Sequence, residues 1–263
     1  MKLTVVGCSG SVSGPESPAS SYLVQAPHAG GTFSLVLDLG PGAFGALYRY
    51  LDPAEVDAIA LSHLHPDHCL DLCAYYVGAA YSPTAPWPRR TLYGPGGTPE
   101  RLARAYEVRR TNGSPAEPGP GIANHFDFRT WQSRQQVGPF LVETTLVDHP
   151  VETYAMRITE DVAAGGTLVY SGDTGPCDAL VELARGADLL LVEAASRERP
   201  DNPPGLHLTG RQAAEMAQRS GVSAAVLTHI PPWSDPDQVL ADALPHYSGS
   251  LSRAVPGATW EIG

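Results

Sequence analysis

The chain has 263 residues, 43% hydrophobic and 17% charged, which suits one globular domain over residues 1–263 and leaves little room for a second. Its formal net charge of −11 sets 28 acidic against 17 basic residues. That balance disfavours long nucleic acid, because phosphate contacts need a basic face. No apolar run approaches the roughly 18 residues needed to cross a bilayer, so a membrane partner is not expected.

The start, MKLTVVGCSGS, reads as a first strand running into a polar loop, not as a signal peptide. Cys8, Cys69, Cys73 and Cys177 are scattered and form no C-x-x-C pair, which fits reduced thiols in a cytoplasmic protein. Strands are expected at 2–7, 21–26 and 34–39, where apolar and β-branched residues sit between Gly, Pro and Ser loops. A short helix is expected at 42–51. A buried strand at 56–62 delivers His63 to its end, and 68–80 reads as a helix. A hairpin-like region at 91–93 precedes a helix near 99–110, and 111–121 (TNGSPAEPGPG) has the composition of a surface loop.

The second half repeats this order of elements without repeating sequence. Strands are expected at 139–147, 153–159, 166–171, 187–193 and 223–228, and helices at 176–185 and 209–220. Thr209 is a natural N-cap for the last helix. Two facing sheets with helices on both outer sides make an α/β fold, a four-layer αββα sandwich.

The run His63-Leu64-His65-Pro66-Asp67-His68 packs three imidazoles and one carboxylate into six residues. Imidazole with a hard carboxylate suits a catalytic metal rather than a thiolate site. This string fits one metal poorly and two metals well, the pair lying about 3.5–4 Å apart. Further candidates stand at expected strand ends: Asp38 in VLDLG, His149 in LVDHP, Asp173 in YSGDTG, His207 in GLHLTG and His229 in LTHIPP. His63, His65 and His149 would hold one ion, and Asp67, His68 and His229 the other. Asp173 can bridge them, since a carboxylate has two oxygens. Singly, each has a plainer reading: a turn histidine, a helix-capping Asp or a turn-forming Asp before Gly.

With these residues in place, the chain resembles a metallo-β-lactamase-fold hydrolase. H-x-H-x-D-H matches that family's second motif, and Asp38, His149, Asp173 and His229 match its first, third, fourth and fifth. The resemblance implies the αββα fold and a dinuclear site, with two zinc ions per chain, manganese or iron being alternatives. It also implies that Asp38 supports the metal-bearing loop without binding metal.

Within the family the chain is most similar to the ribonuclease Z-like branch. VVGCSGSVSGPESPASSYLV resembles its glycine-rich first loop, LLLVEAAS around Glu193 its acidic strand, and GLHLTGRQAAEMAQRSGV its H-x-T motif. By that resemblance His207 protonates the leaving oxygen of a phosphodiester, and Asp67 orients the attacking hydroxide as well as binding metal. Thr209 is expected to help hold phosphate oxygens at a helix start.

Ribonuclease Z itself grips tRNA with an arm between its third and fourth motifs. Here the interval from His149 to Asp173 has room only for two strands and a turn. The layout of HLHPDHCLDLCAYY, YSGDTG and LTHIPPW also resembles a group of actinobacterial cyclic-nucleotide-degrading phosphodiesterases. The expectation is therefore a compact metal-dependent phosphodiesterase acting on a small phosphodiester substrate. The alternatives are a ribonuclease Z-like tRNA 3′-processing endonuclease and, from another class, a non-catalytic metal-binding module. A homodimer is compatible, being the commonest oligomer. Trp233, shortly after His229, either lines the pocket and stacks on a base or packs on Pro231 and Pro232. The helix carrying Tyr75 and Tyr76 reads as core or as a dimer face.

Overall fold

The computed structural model describes residues 1–107 and 121–263. In chain order the strands are β1 Lys2–Gly7, β2 Ser21–His28, β3 Gly31–Leu37, β4 Ala58–Ala60, β5 Arg90–Gly94, β6 Phe126–Thr130 and β7 Arg134–Val137. They continue as β8 Phe140–Leu146, β9 Tyr154–Glu160, β10 Thr167–Tyr170, β11 Leu189–Glu193, β12 Ala224–Thr228, β13 Ser250–Arg253 and β14 Thr259–Glu261. The helices are α1 Ala43–Leu47, α2 Pro66–Cys69, α3 Leu72–Tyr81, α4 Thr98–Tyr106, α5 Asp178–Ala184, α6 Gly210–Ser220 and α7 Pro236–Ala243.

Among the described residues the strands form two seven-stranded sheets, ordered β14-β1-β2-β3-β4-β5-β6 and β13-β12-β11-β10-β9-β8-β7. Each is antiparallel at one end and parallel at the other. β3 to β6 pair in parallel in the first sheet, and β10 to β13 in the second. Alternation along the strands builds three apolar layers. Leu35 and Leu37 of β3 and Leu189 and Leu191 of β11 point between the sheets. Val36 faces the opposite way, toward Ala43, Leu72, Tyr75 and Leu102 of the helices on that side. Leu190 and Val192 face Leu180, Ala213 and Ala217 of α5 and α6. The molecule is thus an αββα sandwich, as expected. Strands buried on both faces read as continuous apolar runs, which is why the sequence shows them well.

Several local expectations change. The 91–93 region is not a hairpin: β5 lies between β4 and β6, parallel to both. The expected helix at 68–80 is two helices, α2 and α3, broken at Leu70–Asp71. There Asp71 turns outward from the helix pattern and accepts the Phe44 backbone N–H at 2.8 Å. The short strands β6, β7, β13 and β14 and helix α7 are additions that the sequence pattern did not disclose. The loop expected at 111–121 lies outside the described residues but for Gly121, as does the end of the helix expected at 99–110. Tyr75 and Tyr76 are core: Tyr75 packs on Phe44, Trp87 and Phe126, and Tyr76 on His125.

Candidate active site

The candidate residues converge where the two sheets present strand ends to the same edge. Asp38 follows β3, His63 follows β4 by three residues, Asp173 follows β10, Glu193 ends β11 and His229 follows β12. These are C-terminal ends of parallel strands, where backbone direction leaves loops free to converge. His149 arrives from the loop after β8. Asp67 and His68 lie on α2, whose first residue Pro66 presets the helical turn just after His65.

Close backbone approach makes two glycines necessary. A Cβ on Gly40 would stand 1.9 Å from the Asp67 carbonyl oxygen, and one on Gly10 would stand 2.1 Å from that of His229. Asp38 and His229 themselves adopt left-handed backbone, with φ of 54° and 56°. Such strain in non-glycine residues persists only where surrounding contacts impose it.

Two groups of four donor residues result, and a smaller third. His63, His65, His149 and Asp173 form one of the two, and Asp67, His68, Asp173 and His229 the other, so Asp173 belongs to both; Asp173, Glu193 and His207 make the third. In the first, His65 Nδ1 lies 3.1 Å from His63 Nε2 and 3.2 Å from His149 Nε2, and Asp173 Oδ2 is 3.7 Å from His63 Nε2. In the second, His68 Nε2 lies 3.3 Å from Asp67 Oδ2 and 3.2 Å from Asp173 Oδ1. His229 Nε2 is 3.2 Å from Asp173 Oδ2 and 3.6 Å from Asp67 Oδ2.

Four of the imidazoles are oriented from behind through Nδ1. His149 Nδ1 donates to the Leu206 carbonyl at 2.9 Å, and His68 Nδ1 to Asp38 Oδ2 at 2.7 Å. The Ser62 hydroxyl donates to the same Asp38 oxygen at 2.7 Å, so it accepts from His63 Nδ1 at 3.0 Å. His229 Nε2 accepts the Ser11 backbone N–H at 3.3 Å, which assigns its Nδ1 proton to the Ser20 hydroxyl at 2.8 Å. The Nε2 atoms of His63, His68 and His149 are therefore turned into the site, the arrangement by which second partners orient metal-binding histidines, while that of His229 takes the Ser11 N–H. His65 differs and turns Nδ1 inward.

Asp38 is the hub of this support. It is fully buried and also accepts the Ser62 backbone N–H and the Tyr170 hydroxyl, each at 2.7 Å. It belongs to neither donor group. Ser11, Ser20, Ser62 and Tyr170 were not among the residues expected from sequence. Ser62, next to His63 at a strand end, carried the one local signal.

His207 and Glu193 stand beside Asp173. Glu193 is buried and accepts the backbone N–H groups of Thr174 at 2.8 Å, Ala195 at 3.0 Å and Leu208 at 3.3 Å. His207 Nδ1 donates to Glu193 at 2.8 Å and lies 3.9 Å from Asp173 Oδ2. Burial alone would lower the His207 pKa, but the Glu193 carboxylate reverses this and raises it to about 9. Thr209 opens α6. It is 3% exposed, its hydroxyl accepts the Gln212 backbone N–H, and the Gln212 side chain returns the bond in a capping box. This is the N-cap position expected from the sequence.

A cation fits these donors. His68 Nε2 and Asp173 Oδ1 are buried polar atoms without a hydrogen-bond partner, although 3.2 Å apart. Leaving such atoms unpartnered is costly unless a third group takes both. Imidazoles that face one another nitrogen to nitrogen, flanked by carboxylates, form the donor set of a divalent transition metal. In the bare chain burial lowers the His63 pKa and the adjacent His68 lowers it further, so this nitrogen stays a lone-pair donor. Burial would raise the Asp173 pKa, but His229 and His68 hold the carboxyl well below its usual range.

The αββα sandwich with clustered histidines and carboxylates at one sheet edge defines a metal-dependent hydrolase. The family described as beta-lactamase superfamily domain matches residues 34–230, and the chain belongs to that family. An uncharacterized protein of Mycobacterium leprae is 45% identical over all of this chain and 89% of its own length. Ribonuclease Z of Mycobacterium bovis is 30% identical over 90% of this chain and 89% of its own. The crystal structure of the metallo-beta-lactamase fold protein YhfI from Bacillus subtilis superposes with a TM-score of 0.80 at 27% identity, covering 98% of each chain.

Proposed function

We propose that this metallo-hydrolase is a phosphodiesterase that uses two divalent ions, zinc by donor preference, on a small phosphodiester such as a cyclic nucleotide. The observation that carries the reading is the placement of His207: an imidazole held through Nδ1 by Glu193 at 2.8 Å and standing 3.9 Å from the carboxylate shared by both donor groups. A proton donor fixed beside a metal site is what departure of an alkoxide requires.

His63, His65 and His149 would hold one ion, Asp67, His68 and His229 the other, and Asp173 both. Ions there would supply Lewis acidity toward phosphoryl oxygens and an activated water. Glu193 keeps a proton on His207 Nδ1 and fixes the ring. His207 Nε2, which has no protein partner among the described residues, presents its proton to the leaving oxygen. Burial opposes ionisation of Asp67, but His68 holds its carboxyl below the usual range, so it stays an acceptor able to orient water. Asp38 acts on the reaction only through His68 and Ser62.

A small substrate is favoured over RNA. β9, β10 and their turn occupy the interval between His149 and Asp173, and the net charge is −11. The ribonuclease Z reading has in its favour the 30% identity to the mycobacterial enzyme of that name. No helix among the described residues is long and apolar enough to cross a membrane. A homodimer is proposed for the solution state and is checked by light scattering.

The test is a hydrolysis panel with metal analysis on one preparation. Cleavage of cyclic AMP and bis-p-nitrophenyl phosphate by protein holding about two metal equivalents is expected. Trimming of pre-tRNA with both small diesters untouched would overturn the substrate assignment. Tight metal binding without any turnover would leave the non-catalytic module.

A further inference from the structure

Two adjoining cavities of about 450 and about 290 Å³ share Arg197, Arg199 and Trp233. Their walls are continuations of the two segments that carry His207 and His229. Ala195, which lines the smaller cavity, donates its backbone N–H to Glu193, and the Ser196 N–H bonds the Leu208 carbonyl next to His207. Trp233 follows His229 by four residues, so the two Cα atoms are at most about 14 Å apart. The His207 and His229 rings are 5.7 Å apart, so both walls start from one point of the site.

The lining is mixed in charge: Arg197 and Arg199 share the larger cavity with Glu198, Asp235 and Asp242. The Trp233 side chain is 57% exposed, against the rule that large aromatics are covered. Arg197 donates to the Trp233 backbone carbonyl and, at 3.4 Å, to the Ser234 hydroxyl. Asn202 donates to the Arg197 carbonyl at 2.6 Å, which closes the other side. The backbone of Trp233 is thus pinned while its ring is left open. Glu198 and Arg211 pair with each other. Arg199 forms no ion pair with an acidic group among the described residues, is exposed and lines both cavities. An open indole with a free guanidinium beside it is a stacking platform for a flat ring that carries acceptor atoms.

We infer that this cavity pair is a nucleoside subsite: the base of a nucleotide substrate stacks on Trp233 with Arg199 at its acceptor edge, while the phosphate lies at the histidine and aspartate groups. The inference rests on the phosphodiesterase reading and narrows it to diesters that bear a nucleobase.

Calorimetric binding to the metal-loaded protein tests it, with adenosine 5′-monophosphate and ribose 5-phosphate as paired probes. Wild-type protein is expected to prefer the adenosine ligand. Trp233→Ala weakens that ligand roughly five- to hundredfold, the range of one lost base stack, and leaves ribose 5-phosphate unchanged. Trp233→Phe restores most of the loss, and Arg199→Ala, on an exposed side chain, weakens only the adenosine ligand. Equal losses for both probes, or none, overturn the subsite. If the wild-type protein cleaves no phosphodiester and binds neither probe, the phosphodiesterase reading falls with it. If it cleaves the base-free diester glycerophosphoethanolamine but binds both probes equally, the subsite alone falls.

Discussion

His68 Nε2 and Asp173 Oδ1 lie 3.2 Å apart, sealed from solvent, and make no hydrogen bond. His68 is already committed through Nδ1 to Asp38 at 2.7 Å, and that bond sets its ring plane. The neighbouring carboxylate is held from the other sheet, so the two atoms are brought together from opposite sides. A divalent ion between them would satisfy both.

Metal removal should therefore loosen the whole fold. Zinc at a hundred times its Kd stabilises by about 2.7 kcal/mol, which raises the Tm of a chain this size by roughly 5–10 °C. Asp173→Asn should reduce bound metal to at most about one equivalent, because a shared ligand is lost from both donor groups. Elemental analysis and a thermal melt with and without chelator check this. Full metal content in the variant would contradict the sharing.

His207→Ala should lower kcat about 10²- to 10⁴-fold, the usual contribution of a positioned proton donor. Metal content should not change, since neither donor triad needs this residue. If metal is lost together with activity, His207 is a ligand and not the acid.

The raised His207 pKa makes a prediction with a definite sign. In metal-stripped protein its NMR titration should fall near 9, and Glu193→Gln should bring it down toward the ordinary histidine value. A folded-state pKa above the unfolded one means the stabilisation is fully present below about 6.5 and is lost as pH rises through about 9. Denaturant melts of metal-stripped protein should thus weaken between those pH values, and Glu193→Gln should flatten that slope.

Asp38→Ala should destabilise by about 3–5 kcal/mol, because it strands His68, Ser62 and Tyr170 donors in the buried interior. Tyr170→Phe removes only one of those donors and should cost about 1 kcal/mol. Urea unfolding of the two variants in the same buffer gives the comparison. A neutral Asp38→Ala would mean that water enters the support behind His68.

Much of the fold was visible in the chain because its central strands are buried on both faces. Runs such as ADLLLVE and SAAVLT have no polar side to show, and their lengths and spacing already imply sheets covered by helices. The elements that escaped notice are short or half-polar. RQQV and SLSR lie at sheet edges with few apolar residues, and PDQVLADA reads as turn until Asp235 is seen to cap it through the Asp237 and Gln238 backbone N–H groups. β5 looked like a hairpin because nothing in RTLYG says which strands flank it; pairing is a non-local choice.

The hexad, with Asp38, His149, Asp173, His207 and His229, announced by residue type alone that the chain carries metal-binding chemistry, since few other demands place so many imidazoles at strand ends. Tertiary structure decided how those groups are used. It turned His65 to its Nδ1 and tied each of four other rings through Nδ1 to a serine, a carbonyl or Asp38. It also left the Trp233 ring open beside Arg199. Side-chain type is written residue by residue, but the orientation of a nitrogen depends on partners that meet only when both sheets close on each other.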